Sequence, residues 1–105
     1  MKKLMFLFLI AVLFSSCRKP TAFAEIYGVV TDYETNEKIE SANVVISPTN
    51  ASKTTKADGY FEFNELDPQQ YTITVYRAGY KTEYETVIVY ENDRKEKNIK
   101  LIKNN

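Results

Sequence analysis

Apolar and polar residues alternate with a period of two along most of the chain from residue 25 to residue 101. Such alternation places successive side chains on opposite sides of a β-strand and is typical of strands that bury one face. The clearest runs lie at residues 26–30, 42–46, 61–63, 71–75 and 99–101. Residues 82–90 add a run rich in Thr, Val, Ile and Tyr, which suit a half-buried sheet. A weaker, polar run at residues 53–57 predicts a short edge strand.

Residues that favour turns separate these runs. Asp58-Gly59 gives the sharpest hairpin signal, because both residues tolerate the positive φ of tight turns. Between residues 25 and 105 no stretch has the apolar stripe of an amphipathic helix. The mixed-charge run at residues 92–97 is interpreted as a solvated turn into the last strand. About seven short strands therefore predict an all-β fold, a two-sheet β-sandwich.

The first sixteen residues have a different pattern. Lys2 and Lys3 precede an unbroken apolar run from Leu4 to Phe14, and two serines follow it. These are the positive, apolar and small-residue regions of a secretory signal peptide. As a helix the apolar run rises about 16 Å, which is too short for a hydrocarbon core of roughly 30 Å. We therefore predict that residues 1–16 are a signal peptide rather than a transmembrane anchor.

Cys17 is the only cysteine, so an intrachain disulfide is excluded. The stretch from Leu13 to Cys17 resembles a bacterial lipobox, in which a cysteine receives lipid such as palmitate and the preceding peptide is removed. The resemblance implies a lipoprotein anchored in membrane lipid through Cys17, with residues 17–24 as a lipidated tether. Several acyl chains on one residue are enough for stable anchoring. The alternative is a chance cysteine just beyond an ordinary signal peptide.

The residues after Cys17 bear on the compartment. Residue 18 is Arg, so the aspartate signal for retention in the inner membrane is missing, and no acidic run follows the cysteine. We therefore expect an outer-membrane lipoprotein of the bacterial cell envelope that faces the periplasm.

Composition excludes several classes of function. The chain has 14 basic and 14 acidic residues and no histidine. Nucleic-acid binding is not expected, because it depends on clustered Lys and Arg that neutralise phosphates. The absence of histidine removes the commonest general base and the commonest metal ligand. We therefore predict a protein that is not an enzyme and that has no catalytic residues, no cofactor and no metal site.

One ordered set of short motifs runs through residues 25–102. The set comprises Ile26-x-Gly28-x-Val30-x-Asp32, Ile39-x-Ser41-Ala42-x-Val44-x-Ile46, Thr55-x-Ala57-Asp58-Gly59-Tyr60-Phe61-x-Phe63-x-x-Leu66-x-Pro68-x-x-Tyr71-x-Ile73-x-Val75 and Ala78-Gly79-Tyr80. Their order and spacing resemble those of the carboxypeptidase regulatory-like domain. The resemblance implies a seven-stranded, prealbumin-like (transthyretin-like, Ig-like) Greek-key β-sandwich at residues 25–102, followed by a tail at residues 103–105. Such domains accompany peptidases, adhesins and outer-membrane transporters as accessory units.

Several residues in these motifs have predicted structural roles. Gly28 in a strand indicates that another backbone or ring needs the space. Asp32 is placed to accept N–H groups of the following turn, and the Tyr71 hydroxyl to bond a nearby backbone group. Glu83 and Glu85 share one strand face, which we interpret as a solvated face rather than an acid–base pair.

The tyrosines are the candidate binding residues. Tyr27, Tyr60 and Tyr76 fall on the faces opposite the inferred core positions, and exposed aromatic rings can form a ligand platform. The alternative is that the rings are scattered and lie flat on the sheets. We therefore predict a membrane-anchored lipoprotein that carries a non-catalytic interaction or structural module. The second reading is a carbohydrate- or peptidoglycan-binding accessory lipoprotein that uses exposed tyrosines, so the expected partner is an envelope protein or a glycan.

Overall fold

Eight β-strands form two sheets in the computed structural model, which describes residues 22–104. The strands are β1 (Ala24–Asp32), β2 (Asn43–Ser47), β3 (Ala51–Thr54), β4 (Tyr60–Leu66), β5 (Gln69–Tyr76), β6 (Glu83–Val89), β7 (Arg94–Glu96) and β8 (Ile99–Leu101). Within the described residues there is no helix long and apolar enough to cross a membrane. The predicted signal peptide at residues 1–16 and the predicted lipidation site, Cys17, lie outside the described residues.

The chain passes repeatedly from one sheet to the other. The first sheet has the order β4-β1-β7, and β8 also pairs with β1; the second has the order β3-β2-β5-β6. Strand β1 is antiparallel to β4 but parallel to β7 and β8. The two sheets pack as a sandwich, because the alternating apolar residues of both turn towards a common core. The predicted all-β sandwich is confirmed.

The core follows the period-two pattern of the sequence. Ile26 and Val30 of β1 alternate with half-buried neighbours, and Ile73 and Val75 of β5 do the same in the second sheet. Tyr71 is fully buried, and its hydroxyl donates to the backbone carbonyl of Asp67 at 2.8 Å. The predicted hydrogen bond of this tyrosine is therefore confirmed, and it allows an aromatic ring to fill the core without leaving a polar atom unpaired.

The strand count and two strand positions differ from prediction. Strand β7 lies inside the run predicted as a solvated turn, and the chain leaves the β1 edge between Glu96 and Ile99 before it returns as β8. Arg94 and Glu96 point outwards to solvent on this short edge strand. The strand is therefore rich in charged residues, and its sequence resembles that of a turn. The predicted edge strand at residues 53–57 is β3 at Ala51–Thr54. Thr55 is buried instead, and its hydroxyl donates to the carbonyl of Ile39 at 2.8 Å.

Gly28 makes the interruption between β7 and β8 possible. The N–H of Lys97 donates to the carbonyl of Tyr27 at 2.7 Å, which brings the backbone of Lys97 directly over Gly28. A Cβ atom at position 28 would overlap the carbonyl oxygen of Lys97 and would lie 3.0 Å from the ring of Phe61. The glycine predicted to leave room for another backbone has this role.

Asp32 joins four separate parts of the chain at the end of β1. The residue is 3% exposed, and one carboxylate oxygen accepts the N–H groups of Glu34 at 2.8 Å and Thr35 at 3.0 Å. The other oxygen accepts the hydroxyl of Tyr80 at 2.8 Å and lies 3.9 Å from Nζ of Lys103. The N–H of Thr35 and the hydroxyl of Tyr80 lower the pKa of the Asp32 carboxyl from its ordinary 3.8 to about 2. The predicted Asp32 turn is confirmed, and Tyr80 and Lys103 extend it.

The change Gly28→Ala tests the close approach of the last strand. We expect it to lower the free energy of unfolding by about 3 kcal/mol, because the new methyl group overlaps backbone atoms that have no free rotation. Gly79→Ala is the control: position 79 has a positive φ of 91° but no atom within 4 Å of an added Cβ, so we expect a loss of only about 1 kcal/mol. Urea unfolding measures both, and equal losses would contradict the role given to Gly28.

The Asp32 carboxylate predicts a specific acid sensitivity. Because its pKa is lower in the folded state, the group stabilises the protein fully above about pH 4, and this stabilisation is lost as the pH falls towards 2. Asp32→Asn should therefore flatten the dependence of the urea midpoint on pH between 4 and 2, and should lower the midpoint at pH 7. Identical slopes for the wild-type protein and Asp32→Asn would contradict this assignment.

Candidate functional site

The three tyrosines predicted as a platform lie on opposite sides of the sandwich. Tyr27 and Tyr60 are on the outer face of the first sheet, where their ring centroids are 6.4 Å apart at an interplanar angle of 39°. Tyr76 is on the outer face of the second sheet and is 55% exposed. The fold therefore brings together two of the three rings, because β1 and β4 are neighbours whereas β5 belongs to the other sheet.

Charged side chains of the protein itself occupy the surface around Tyr27 and Tyr60. The guanidinium carbon of Arg94 lies 3.9 Å from the centroid of the Tyr27 ring, within the range of a cation–π contact. Nε of Arg94 also lies 3.1 Å from a carboxylate oxygen of Glu25. Both tyrosines are half-buried. The two rings are therefore packed against neighbouring side chains of the protein. The surface around them is charged, as most protein surfaces are, and does not form an open platform.

An open groove of about 620 Å³ lies beside the second half of β1 and β8. Tyr33 and Ile102 form exposed apolar parts of its lining. Lys38 and Lys100 add positive charge, and Glu83, Glu85 and Glu96 add negative charge. Among residues 22–104, no group of three or more His, Cys, Asp or Glu side chains is arranged to hold a metal ion.

Glu83 and Glu85 share one strand face as predicted, but it is the inner side of β6 at the edge of the sandwich, where both line the open groove and stay partly exposed. They pair with Val75 and Ile73, whose side chains are in the core, so the two carboxylates share the inner side of β6 and are half-buried. Lys97 reaches Glu85 with its Nζ 3.3 Å from a carboxylate oxygen. Burial raises the pKa of Glu83, and a hydrogen bond with Glu85 raises it further. Inward-pointing charges on an edge strand oppose pairing with another chain.

The outer face of the second sheet carries no charged side chain. Its outward positions follow from the strand register and are Asn43, Val45, Ser47, Ser52, Thr54, Gln70, Thr72, Thr74, Tyr76, Tyr84, Thr86 and Ile88. We call this surface the neutral face. Tyr84 is 66% exposed and Ile88 is 46% exposed, so large apolar groups meet solvent here together with Tyr76.

The outer face of the first sheet differs from the neutral face in its charge. Its outward positions include Glu25, Glu62, Arg94, Glu96 and Lys100. A chain in which 27% of residues are charged thus has one sheet face with many charges and one with none. The exposure of Tyr84 and Ile88 cannot be predicted from the sequence, because residues 82–90 do not reveal which alternate set of side chains is buried. The signal that identifies them is the register of β6 against β5, which the sequence alone does not contain.

Comparisons with known proteins agree with this architecture. The profile of the carboxypeptidase regulatory-like domain matches residues 25–102. The chain is similar in structure to BcpA, the major pilin subunit of Bacillus cereus, with 15% identity and a TM-score of 0.67 over 81% of this chain and 31% of that one. It is also similar to the TIE protein of Bacillus anthracis, with 18% identity and a TM-score of 0.66 over 78% of this chain and 17% of that one.

A third similar structure is a chain of a type II cohesin–X-dockerin complex from Acetivibrio cellulolyticus. The identity is 23% and the TM-score 0.60, over 72% of this chain and 52% of that one. This chain thus spans less than two thirds of each of these chains, and at such low identities the likeness shows a shared fold. No curated protein matches the chain significantly.

The half-buried Glu83 predicts a stability gain on neutralisation. A carboxyl whose pKa is raised in the folded state destabilises the protein as the pH rises above its ordinary pKa of 4.5. Glu83→Gln should therefore raise the melting temperature at pH 7 and leave it nearly unchanged at pH 4. Glu91→Gln, at an exposed position after β6, is the control and should change neither value. A lower melting temperature of Glu83→Gln at pH 7 would contradict the inward placement.

Proposed function

Since the chain belongs to the carboxypeptidase regulatory-like domain family, we propose that it is a lipoprotein of the bacterial cell envelope whose β-sandwich is a non-catalytic binding module. Acyl chains on Cys17 hold it in the outer membrane, and the domain faces the periplasm. The observation that carries the binding role is the neutral face, on which Tyr76, Tyr84 and Ile88 are exposed without a charged neighbour on the same face.

Exposed apolar side chains are common on soluble proteins when they are scattered singly. Here they share one side of one sheet, and charged residues are confined to other surfaces. Tyr76 and Tyr84 are diagonal neighbours on this face, and depletion of charge together with exposed tyrosine is typical of the centre of an interface. The neutral face therefore has the composition of a contact surface.

The non-catalytic role rests on the side chains of the domain. Covalent acyl transfer commonly uses a serine or cysteine activated by a histidine, and residues 25–102 contain neither histidine nor cysteine. The carboxylates that the fold brings together, Glu83 and Glu85, lie side by side at the sandwich edge, and Lys97 pairs with one of them. The similar structures include a pilin subunit and a chain of a cohesin–dockerin complex, which fits a structural or binding role.

The tether limits where the module works. Residues 17–24 are the only link between the lipidated cysteine and β1, and even fully extended they span at most about 25 Å. The domain is therefore held next to the membrane surface. A partner of the neutral face must be another component of the envelope, either a protein or a glycan, or a molecule that reaches this layer.

Cys17→Ser tests the anchor. We expect this variant to lose metabolically incorporated palmitate and to move from the membrane fraction to the soluble fraction, because a serine cannot receive the thioether-linked lipid. Ser16→Ala keeps a small residue before the cysteine and is the control, which should remain lipidated and membrane-bound. Membrane retention of Cys17→Ser after a high-salt wash would show that lipid on this residue is not the anchor.

A further inference from the structure

We propose that the neutral face binds an uncharged polysaccharide. This inference rests on the proposed function of the domain as a binding module and names its ligand class. The face is a continuous surface of four hydrogen-bonded strands, β3-β2-β5-β6. Its chemistry consists of hydroxyl groups, side-chain amides and two tyrosine rings, with Val45 and Ile88 as the aliphatic members.

The outward side chains of the face, most of which are polar, lie in rows across the sheet. One row consists of Ser52, Val45, Thr74 and Tyr84, which lie directly opposite one another on consecutive strands. With neighbouring strands about 4.8 Å apart, this row is about 14 Å long. Each serine, threonine, asparagine and glutamine side chain can both donate and accept a hydrogen bond. A sugar hydroxyl has the same dual capacity, so a polysaccharide can pair with such a surface without bringing or leaving an unmatched charge.

The two tyrosines supply the apolar part of the site. Tyr84 is 66% exposed and Tyr76 is 55% exposed. Tyr84 lies opposite Thr74, so Tyr76 is its diagonal neighbour on β5, at a separation of roughly 7–8 Å. The faces of aromatic rings carry negative charge density and attract the positively polarised C–H groups of a sugar ring. Two rings beside rows of hydroxyl groups therefore match the two kinds of surface that a sugar presents.

The absence of charge on the neutral face disfavours anionic glycans and nucleic acids as ligands. An anionic glycan or a nucleic acid would lose the hydration of its charges without finding a Lys or Arg on the face. Exposed tyrosine and missing charge also occur at protein interfaces, but those interfaces are depleted in serine and enriched in Arg and Met, whereas this face is rich in Ser and Thr and has neither Arg nor Met. An uncharged face rich in hydroxyl groups therefore suits a polymer that is itself neutral and hydroxylated.

Affinity electrophoresis of the full-length protein tests this inference. Native gels contain soluble xylan, mannan or hydroxyethylcellulose as neutral probes and polygalacturonate as an anionic probe, with a polyoxyethylene detergent whose headgroup is not a sugar. We expect a neutral probe to retard the wild-type protein and polygalacturonate to leave it unretarded. Tyr84→Ala and Tyr76→Ala should each weaken the retardation about tenfold or more, as loss of a central aromatic contact does in other interfaces.

Two control variants separate a binding role from a general effect on the surface. Tyr33→Ala removes an equally exposed tyrosine, 59% exposed, that lies in the turn after β1 and lines the groove, away from the neutral face, and it should bind as the wild-type protein does. Thr86→Glu places a charge on the neutral face and should abolish retardation, whereas Asn64→Glu places one on exposed β4 and should not. Melting temperatures within a few degrees of the wild-type value show that each variant is folded.

Several results of these experiments would contradict the proposed binding of a neutral polysaccharide. The inference is wrong if no neutral probe retards the wild-type protein, if polygalacturonate alone does so, or if Tyr33→Ala weakens binding as much as Tyr84→Ala. It is also wrong if sedimentation shows that the face instead pairs two copies of the chain. A photocrosslinking residue at position 86, used in intact cells, distinguishes failure of the polysaccharide inference from failure of the proposed binding role. A crosslink to one envelope protein would refute the polysaccharide and keep the binding module, whereas the absence of both crosslink and retardation would refute both.

Discussion

The carboxylate of Asp32 is the interaction on which the closure of the domain depends. It ends β1, holds the turn that leads towards the second sheet, and receives the hydroxyl of Tyr80 from the chain beyond β5. Next to it, the N–H of Tyr33 donates to the carbonyl of Leu101, which joins the first strand to the last. A single-cysteine chain has no disulfide to fasten these segments. A nearly fully buried carboxylate with every hydrogen bond satisfied does so instead, because leaving it unpaired would be costly.

The two outer faces of the sandwich have different chemistry, although the sheets share one core. On the first sheet, Arg94 contacts both Tyr27 and Glu25, so aromatic and charged groups already satisfy one another. On the second sheet, Tyr76 and Tyr84 stand among hydroxyl and amide groups. Edge pairing is opposed where the neutral face ends at β6, because Glu83 and Glu85 point inwards there. At this edge the sheet can therefore present its neutral face without extending into a larger sheet.

The sequence predicted those features that depend on local pattern. The buried alternate residues of β1, β2, β4 and β5 were identified because period-two alternation is direct evidence of a half-buried strand, and the hydrogen bonds of Asp32 and Tyr71 follow from their neighbouring turns. Features that depend on register were not predictable. Strand β7 has the composition of a turn, and the inner placement of Glu83 and Glu85 is decided by which residues of β5 they face. The separation of Tyr76 from Tyr27 and Tyr60 follows from sheet membership, which alternation does not report.

Hydroxyl-radical footprinting of intact cells measures most directly whether the neutral face is a contact surface. We expect Tyr76 and Tyr84 to be oxidised more slowly in cells than in the purified protein, whereas Tyr33, equally open in the turn after β1, should react at the same rate in both. Equal rates for all three tyrosines in cells and in solution would mean that nothing covers the neutral face, and would contradict the central claim.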